Sequence, residues 1–140
     1  MSRIYWDTHL FIYWLEDRAE SARVGAIFRA MQERGDQLCS SIFTLAELLV
    51  RPYQKKALDA AERARAALRP PRVMLIGFDE RTADFYARIR AGNRVKPPDA
   101  IHLASAASAG VNLFLTNDRS LLRLRVPGID FIAPIDTDLF

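Results

Sequence analysis

The sequence predicts an α/β protein with a central, mainly parallel sheet that is covered by helices on both faces. Short apolar runs alternate with segments of helical periodicity along the whole chain, and parallel strands joined by crossover helices produce this alternation. The 140 residues are enough for one domain with a substantial buried core. We therefore expect a single domain over residues 1–140.

The first half of the chain contains two predicted strands and four predicted helices. The strands lie at 3–6 and 37–41, and the helices at 8–16, 20–35, 41–50 and 53–68. Gly35 is suited to end the second helix, and Ser40 or Ser41 to cap the third. Pro52 is expected to break that helix or to open a new one, and Pro70 to end the fourth.

The second half contains three predicted strands and three predicted helices. The strands lie at 72–78, 111–116 and 129–133, and the helices at 79–93, 97–110 and 118–124. Asp79 is a good N-cap, Pro97 favours a first helical turn, and Gly110 favours a helix end. No repeat or low-complexity segment interrupts the pattern.

Composition excludes several classes of protein. Hydrophobic residues make up 50% of the chain and charged residues 26%, which is typical of globular proteins. No apolar run is long enough to span a bilayer, and the first residues lack the layout of a secretory signal, so we expect no membrane association and a cytoplasmic location. Cys39 is the only cysteine, which excludes an internal disulfide and a cysteine-based zinc site.

Four acidic residues lie in four separate segments, each beside an apolar run: Asp7, Glu47, Asp99 and Asp118. In open parallel sheets, ligands bind beyond the carboxyl ends of the strands. Asp7 directly follows the first predicted strand, and Asp118 follows the strand at 111–116, so both are expected at this edge. Clustered carboxylates favour a hard divalent cation, here Mg²⁺ or Mn²⁺.

Each acid also has a purely structural interpretation. Asp7 and Asp118 are suitable helix N-caps, and Asp99 lies near a helix start, where the helix dipole favours a carboxylate. Glu47 is harder to explain in this way, because it is the only charge in the apolar segment 41–50. A buried carboxylate needs a partner or a cation. One shared cause explains the four positions better than four separate ones.

Polar neighbours of the acids are candidates to orient them. Thr8 adjoins Asp7, and Thr116 and Asn117 precede Asp118, so their side chains are expected to hold carboxylates or bound water. Turn formation is an equal alternative for Asn117. His102 lies one helical turn after Asp99, and a packed, hydrogen-bonded histidine is favoured over a metal ligand or proton shuttle there.

The four acidic segments resemble, in order, those of the PIN domain, and in particular the VapC-like toxins of type II toxin–antitoxin pairs. The matching sequences are IYWDTH, SIFTLAELLVRP, KPPDAIHLASA and LFLTND. The resemblance covers essentially the whole chain. It implies a three-layer α/β/α fold and a metal-dependent endoribonuclease whose four acids fall on Asp7, Glu47, Asp99 and Asp118, with Thr116 beside the last.

The resemblance also implies a homodimer and a cognate antitoxin that blocks the site. Asp7, Asp99 and Asp118 are then expected to bind metal directly, while Glu47 either binds metal or takes a proton from water. The helix with Phe11, Tyr13 and Trp14 is a candidate docking surface for the antitoxin, unless these aromatic residues belong to the core.

The chain has a net charge of +3 and a pI near 9.3, although the acids are expected to gather in one place. A basic surface around an acidic pocket suits RNA, and arginine favours phosphate contacts. The segment after Pro52 is the candidate RNA-facing rim. Its basic residues are Lys55, Lys56, Arg63, Arg65 and Arg69. The sequence does not specify which RNA is cut.

Three other classes remain to be weighed. An aspartyl-phosphate phosphatase needs a second acid two residues after Asp7, where this chain has His9. A receiver domain needs a lysine at the end of a late strand, and the strand at 111–116 supplies none. A catalytically inactive PIN-like module that binds RNA or protein is the remaining alternative, and the four intact acids argue against it.

Overall fold

The structure, a computed structural model, describes residues 1–16 and 19–140. The strands are β1 Arg3–Trp6, β2 Gln37–Ser41, β3 Val73–Ile76, β4 Leu113–Thr116 and β5 Phe131–Pro134. The helices are α1 Thr8–Glu16, α2 Ser21–Arg34, α3 Ile42–Gln54, α4 Leu58–Ala67, α5 Glu80–Gly92 and α6 Pro97–Ser108. Among these residues, no helix is both long and apolar enough to cross a bilayer.

The strands form one five-stranded sheet in the order β3-β2-β1-β4-β5, and every neighbouring pair is parallel. The chain builds the sheet outward from β1 to β3 and then returns to add β4 and β5 on the other side. The carboxyl ends of β1 and β4 therefore meet at the point where the strand order reverses, which is where open α/β sheets bind ligands.

Side chains of β1 alternate between the two faces of the sheet, as the period of a strand requires. Ile4 and Trp6 are buried in a core formed with helices α1 to α4. Tyr5 is buried in a second core, formed with α5 and α6. The protein therefore has the three-layer α/β/α architecture with a parallel sheet that the sequence predicts.

Three predicted helices differ from the structure. Pro52 lies inside α3, which continues to Gln54, and the next helix begins only at Leu58. Proline removes a single hydrogen bond, and so close to the helix end this loss is tolerated. Lys56, with a φ of 52°, lies in the turn between the two helices. The predicted helix at 118–124 is only a 3-10 turn at Arg119–Leu121.

Candidate active site

The four predicted acids lie at the carboxyl edge of the sheet. Asp7 directly follows β1, and Asp118 follows β4 by two residues. Glu47 is in the second turn of α3, which starts where β2 ends, and Asp99 is in the first turn of α6. The strands are parallel, and α1 and α3 begin directly where β1 and β2 end, so Asp7, Glu47 and Asp118 share this edge. Asp99 reaches it beside Asp118.

Asp7 is held by the last residue of β4. The Thr116 hydroxyl donates to Asp7 Oδ2 over 2.6 Å, and the backbone amide of His9 donates to Oδ1 over 3.2 Å. Only 7% of Asp7 is exposed. Burial raises the pKa of Asp7, while the hydrogen bond from Thr116 and the charges of His102 and His9 oppose this rise. Thr116 thus orients a carboxylate, as the sequence predicts. The carboxylate is that of Asp7, which lies beside the end of β4.

Asp99 and Asp118 lie close enough to shift each other's pKa. Burial, the charges of Asp118 and Asp7, and a hydrogen bond with Asp118 raise the pKa of Asp99, although the nearby charge of His102 lowers it. The pKa of Asp118 is lowered, first by the hydrogen bond from Ser120 and also by Asp99 and Lys96. Two carboxyl groups this close favour sharing one proton or one cation.

Glu47 is turned toward protein donors. Its Oε1 accepts from the Thr8 hydroxyl over 2.5 Å and lies 2.7 Å from His102 Nε2. Burial acts to raise the pKa of Glu47, but the hydrogen bonds from His102 and Thr8 and the charges of His102 and His9 outweigh it, so this pKa is lowered. The carboxylate is therefore stabilised in its charged form.

A buried polar network continues from His102 into the protein. His102 Nδ1 lies 2.8 Å from the Tyr5 hydroxyl, which donates to Ser41 Oγ over 2.8 Å. Ser41 in turn caps α3 by accepting from the backbone amide of Thr44. The packed, hydrogen-bonded interpretation of His102 is therefore correct.

Tyr5 and Ser41 were not among the predicted site residues. The only sequence signal for Tyr5 is a hydroxyl in an otherwise apolar strand, and Ser41 was considered solely as a helix cap.

Two further observations concern the predicted metal site and Asn117. Among residues 1–16 and 19–140, no group of three or more histidine, cysteine, aspartate or glutamate side chains is arranged to hold a metal ion. Asp7, Glu47 and Asp118 each turn one oxygen to a protein hydroxyl, and metal binding by the four acids stays a prediction. Asn117 donates its amide to the Tyr13 hydroxyl over 2.6 Å. It does not orient a carboxylate in this arrangement.

The predicted antitoxin-docking aromatics are largely core residues. Phe11 is fully buried, and Trp14 packs against Trp6 and Phe28 with ring centroids 5.5 and 4.7 Å away. Tyr13 is half-buried and receives the hydrogen bond from Asn117. The helix α1 therefore uses these side chains mainly to pack against the sheet.

Solved structures with this fold include toxin–antitoxin proteins. The Rickettsia felis VapBC2 complex bound to a DNA fragment from its promoter aligns with a TM-score of 0.75 and 14% identity, over 94% of this chain and 98% of that one. A toxin–antitoxin complex from Klebsiella pneumoniae aligns with a TM-score of 0.67 and 24% identity, over 90% and 94%.

Mycobacterium tuberculosis VapC20, described as a toxin that cleaves the sarcin–ricin loop, aligns with a TM-score of 0.65 and 14% identity, over 79% of this chain and 86% of that one. At these identities the likeness establishes the fold. No curated protein sequence gives a significant match. The family model described as PIN domain matches residues 4–127, which include nearly all of β1, all of β2 to β4 and all six helices. The chain therefore belongs to the PIN-domain family.

Proposed function

We propose that this protein is a cytoplasmic, metal-dependent endoribonuclease, the toxin of a toxin–antitoxin pair, and that residues 1–140 act as a single nuclease domain. The observation that carries the proposal is the placement of Asp7, Glu47, Asp99 and Asp118 at one sheet edge in a PIN-domain chain. The toxin–antitoxin complexes that share the fold support an antitoxin partner.

The donor chemistry at this edge fits Mg²⁺ or Mn²⁺. Carboxylate oxygens are hard ligands, and the raised pKa of Asp99 reflects burial and like charges that a cation would offset. Asp7, Asp99 and Asp118 would hold the ion. When bound, such an ion supplies charge stabilisation at the scissile phosphate and acidifies a water molecule.

The chain's own residues have distinct tasks in this proposal. Thr116 fixes Asp7 Oδ2 and also accepts from the Asp118 backbone amide over 3.0 Å, so one hydroxyl sets two of the acids. Thr8 fixes Glu47 Oε1. Glu47 either contributes a ligand oxygen or accepts the proton of the attacking water, and its lowered pKa keeps it ionised for both roles.

An RNA-cleavage assay tests the proposal. Wild-type protein with Mg²⁺ or Mn²⁺ should cut RNA, EDTA should stop the reaction, and Asp7→Asn and Asp99→Asn should each lower the rate about 100-fold or more because charge stabilisation is lost. Asp84→Asn is the matched control, since Asp84 is exposed on α5 and paired with Arg88. Its rate should equal that of the wild type.

The opposite result would favour the inactive module. If wild-type protein shows no cleavage that EDTA or Asp99→Asn removes, the chain is a binding-only PIN-like protein. The observation on its side is that, among residues 1–16 and 19–140, no group of three or more histidine, cysteine or acidic side chains is arranged to hold a metal ion. We further propose the homodimer that the resemblance to VapC-like toxins implies.

A further inference from the structure

We propose that His102 and Tyr5 are positioning residues that fix the Glu47 carboxylate through Oε1 and leave only Oε2 to the candidate active site. This inference rests on the proposed function, because it assigns a task to residues around one of the four acids. It goes beyond that function, because neither His102 nor Tyr5 belongs to the set of acids and their threonine partners.

Hydrogen bonds engage both ring nitrogens of His102. A carboxylate accepts and cannot donate, so the proton between Glu47 and His102 is on Nε2. The other ring nitrogen, Nδ1, faces the Tyr5 hydroxyl. Both nitrogens are therefore engaged with protein groups, and His102 itself has no free nitrogen for a cation in this arrangement.

The surroundings hold the two rings in place. The side chain of His102 is 6% exposed, and Tyr5 is fully buried. The Tyr5 ring stacks on Phe114 of β4, with centroids 5.1 Å apart and planes at 6°. Phe43 packs against His102, at 5.2 Å between centroids. The imidazole cannot turn without losing these contacts.

Glu47 can therefore offer only one carboxylate oxygen to the candidate active site. Its Oε1 receives Thr8 and His102, and among the described residues no donor reaches Oε2. Glu47 is also about one-third exposed, at 32%. A long, part-exposed side chain would otherwise sample several rotamers. The hydrogen bonds from Thr8 and His102 hold the Glu47 carboxylate in one orientation before any ligand binds.

A double-mutant cycle tests the inference. His102→Leu and Tyr5→Phe are made in the wild-type and Glu47→Gln backgrounds. Mn²⁺ affinity is measured by calorimetry without RNA, and kcat and KM for RNA cleavage are measured separately. In the wild-type background we expect His102→Leu to weaken Mn²⁺ binding or lower kcat about tenfold, with KM little changed.

The coupling distinguishes positioning from a merely structural role. If His102 acts through Glu47, the loss caused by His102→Leu disappears in the Glu47→Gln background. His102→Gln, which retains a donor for Glu47, should restore most of the lost function. Ser105→Ala is the matched control on α6, and it should leave both readouts unchanged. Among the described residues, this buried hydroxyl bonds only to the Ile101 carbonyl.

The outcomes separate this inference from the proposed function. Equal losses in both backgrounds, or no loss at all, would overturn the positioning role. Tyr5→Phe keeps the ring stack on Phe114. If His102→Leu does not fold, the double-mutant cycle is made with Tyr5→Phe in its place. If wild-type protein binds Mn²⁺ but cuts no RNA, the proposed function fails and calorimetry still decides the inference. If it does neither, both are wrong.

Discussion

Asp99 shows how opposing electrostatic effects at one residue are resolved. It lies in the first turn of α6, where the helix dipole favours a charged carboxylate. Its pKa is nevertheless raised, because burial and the charges of Asp118 and Asp7 outweigh the favourable effects. The ionised form of Asp99 is therefore a source of instability in the folded protein.

The raised pKa of Asp99 makes the stability of the protein depend on pH. The folded protein binds the Asp99 proton more tightly than the unfolded chain, whose pKa is near 3.8, so the free energy of unfolding falls as pH rises from below 3.8 through the raised pKa. Asparagine does not ionise, so Asp99→Asn removes this fall in the free energy of unfolding. Without divalent cation at pH 7 we expect its thermal midpoint to exceed the wild-type value by roughly 2–5 °C.

The difference should shrink as the pH is lowered through the same window, and calorimetry across that range measures it. Asp84→Asn, on the exposed face of α5, should show no increase at neutral pH. A midpoint for Asp99→Asn equal to or below the wild-type value at pH 7 would contradict this account of Asp99.

At the scale of elements, α6 is fixed at its carboxyl end by a turn that approaches it closely. Gly128 has a φ of 98°, and a Cβ there would lie 2.7 Å from the backbone oxygen of Ala107. Only glycine combines this backbone conformation with this approach. The same helix carries Asp99 and His102 near its other end, so the turn helps to fix the helix that supports the site.

We expect Gly128→Ala to lower the free energy of unfolding by about 1–3 kcal/mol, measured by urea denaturation, because the backbone is strained and the helix must shift. Gly92→Ala is the matched control. It lies at the end of α5 with open space around the added methyl group, and should be neutral or slightly stabilising. Equal stability of Gly128→Ala and wild type would show that the turn adapts freely.

At the scale of the whole molecule, the charges are unevenly distributed. The net charge is +3, although four acids lie at one edge. Of the predicted basic rim, Arg65 and Arg69 both contact Glu62, and Arg65 also contacts Tyr53. Lys55, Lys56 and Arg63 are exposed and form no ion pair with another described residue. These three are therefore the better candidates for phosphate contacts.

Neutralising Lys55 and Arg63 to glutamine should weaken RNA binding and flatten its salt dependence. The slope of log affinity against log salt should fall by about 0.7 for each lost phosphate contact, because fewer counterions are released. The control replaces Arg29 and Arg72, which are exposed on α2 and just before β3 and give the same change in net charge. Identical slopes for both double variants would contradict this placement of the rim.

The sequence predicted most accurately those elements whose ends are marked by nearby residues. The bounds of β1, α1 and β2 agree with the structure, since apolar runs there end at Asp7, Glu16 and a serine cap. The error at Pro52 arose because a proline near a helix end is compatible with both a break and a continuation. Tertiary packing decided between them.

The site was predictable to the level of the backbone. Strand direction alone places Asp7 and Asp118 at one edge, and both lie there. Side-chain partners were not predictable in the same way. The bond from Thr116 to Asp7 joins residues 109 apart, and the contact of His102 with Glu47 joins residues 55 apart. No periodicity or spacing encodes such pairs.

The position of β1 at the centre of the sheet has a consequence for biosynthesis. Tyr5 pairs with Cys39 on one side, but its other neighbour, Phe114, is translated 109 residues later. A nascent chain that ends before Asp99 has two of the four acids and one open flank of its central strand. If the proposed activity holds, the ribosome can complete this nuclease before the nuclease is able to cut RNA.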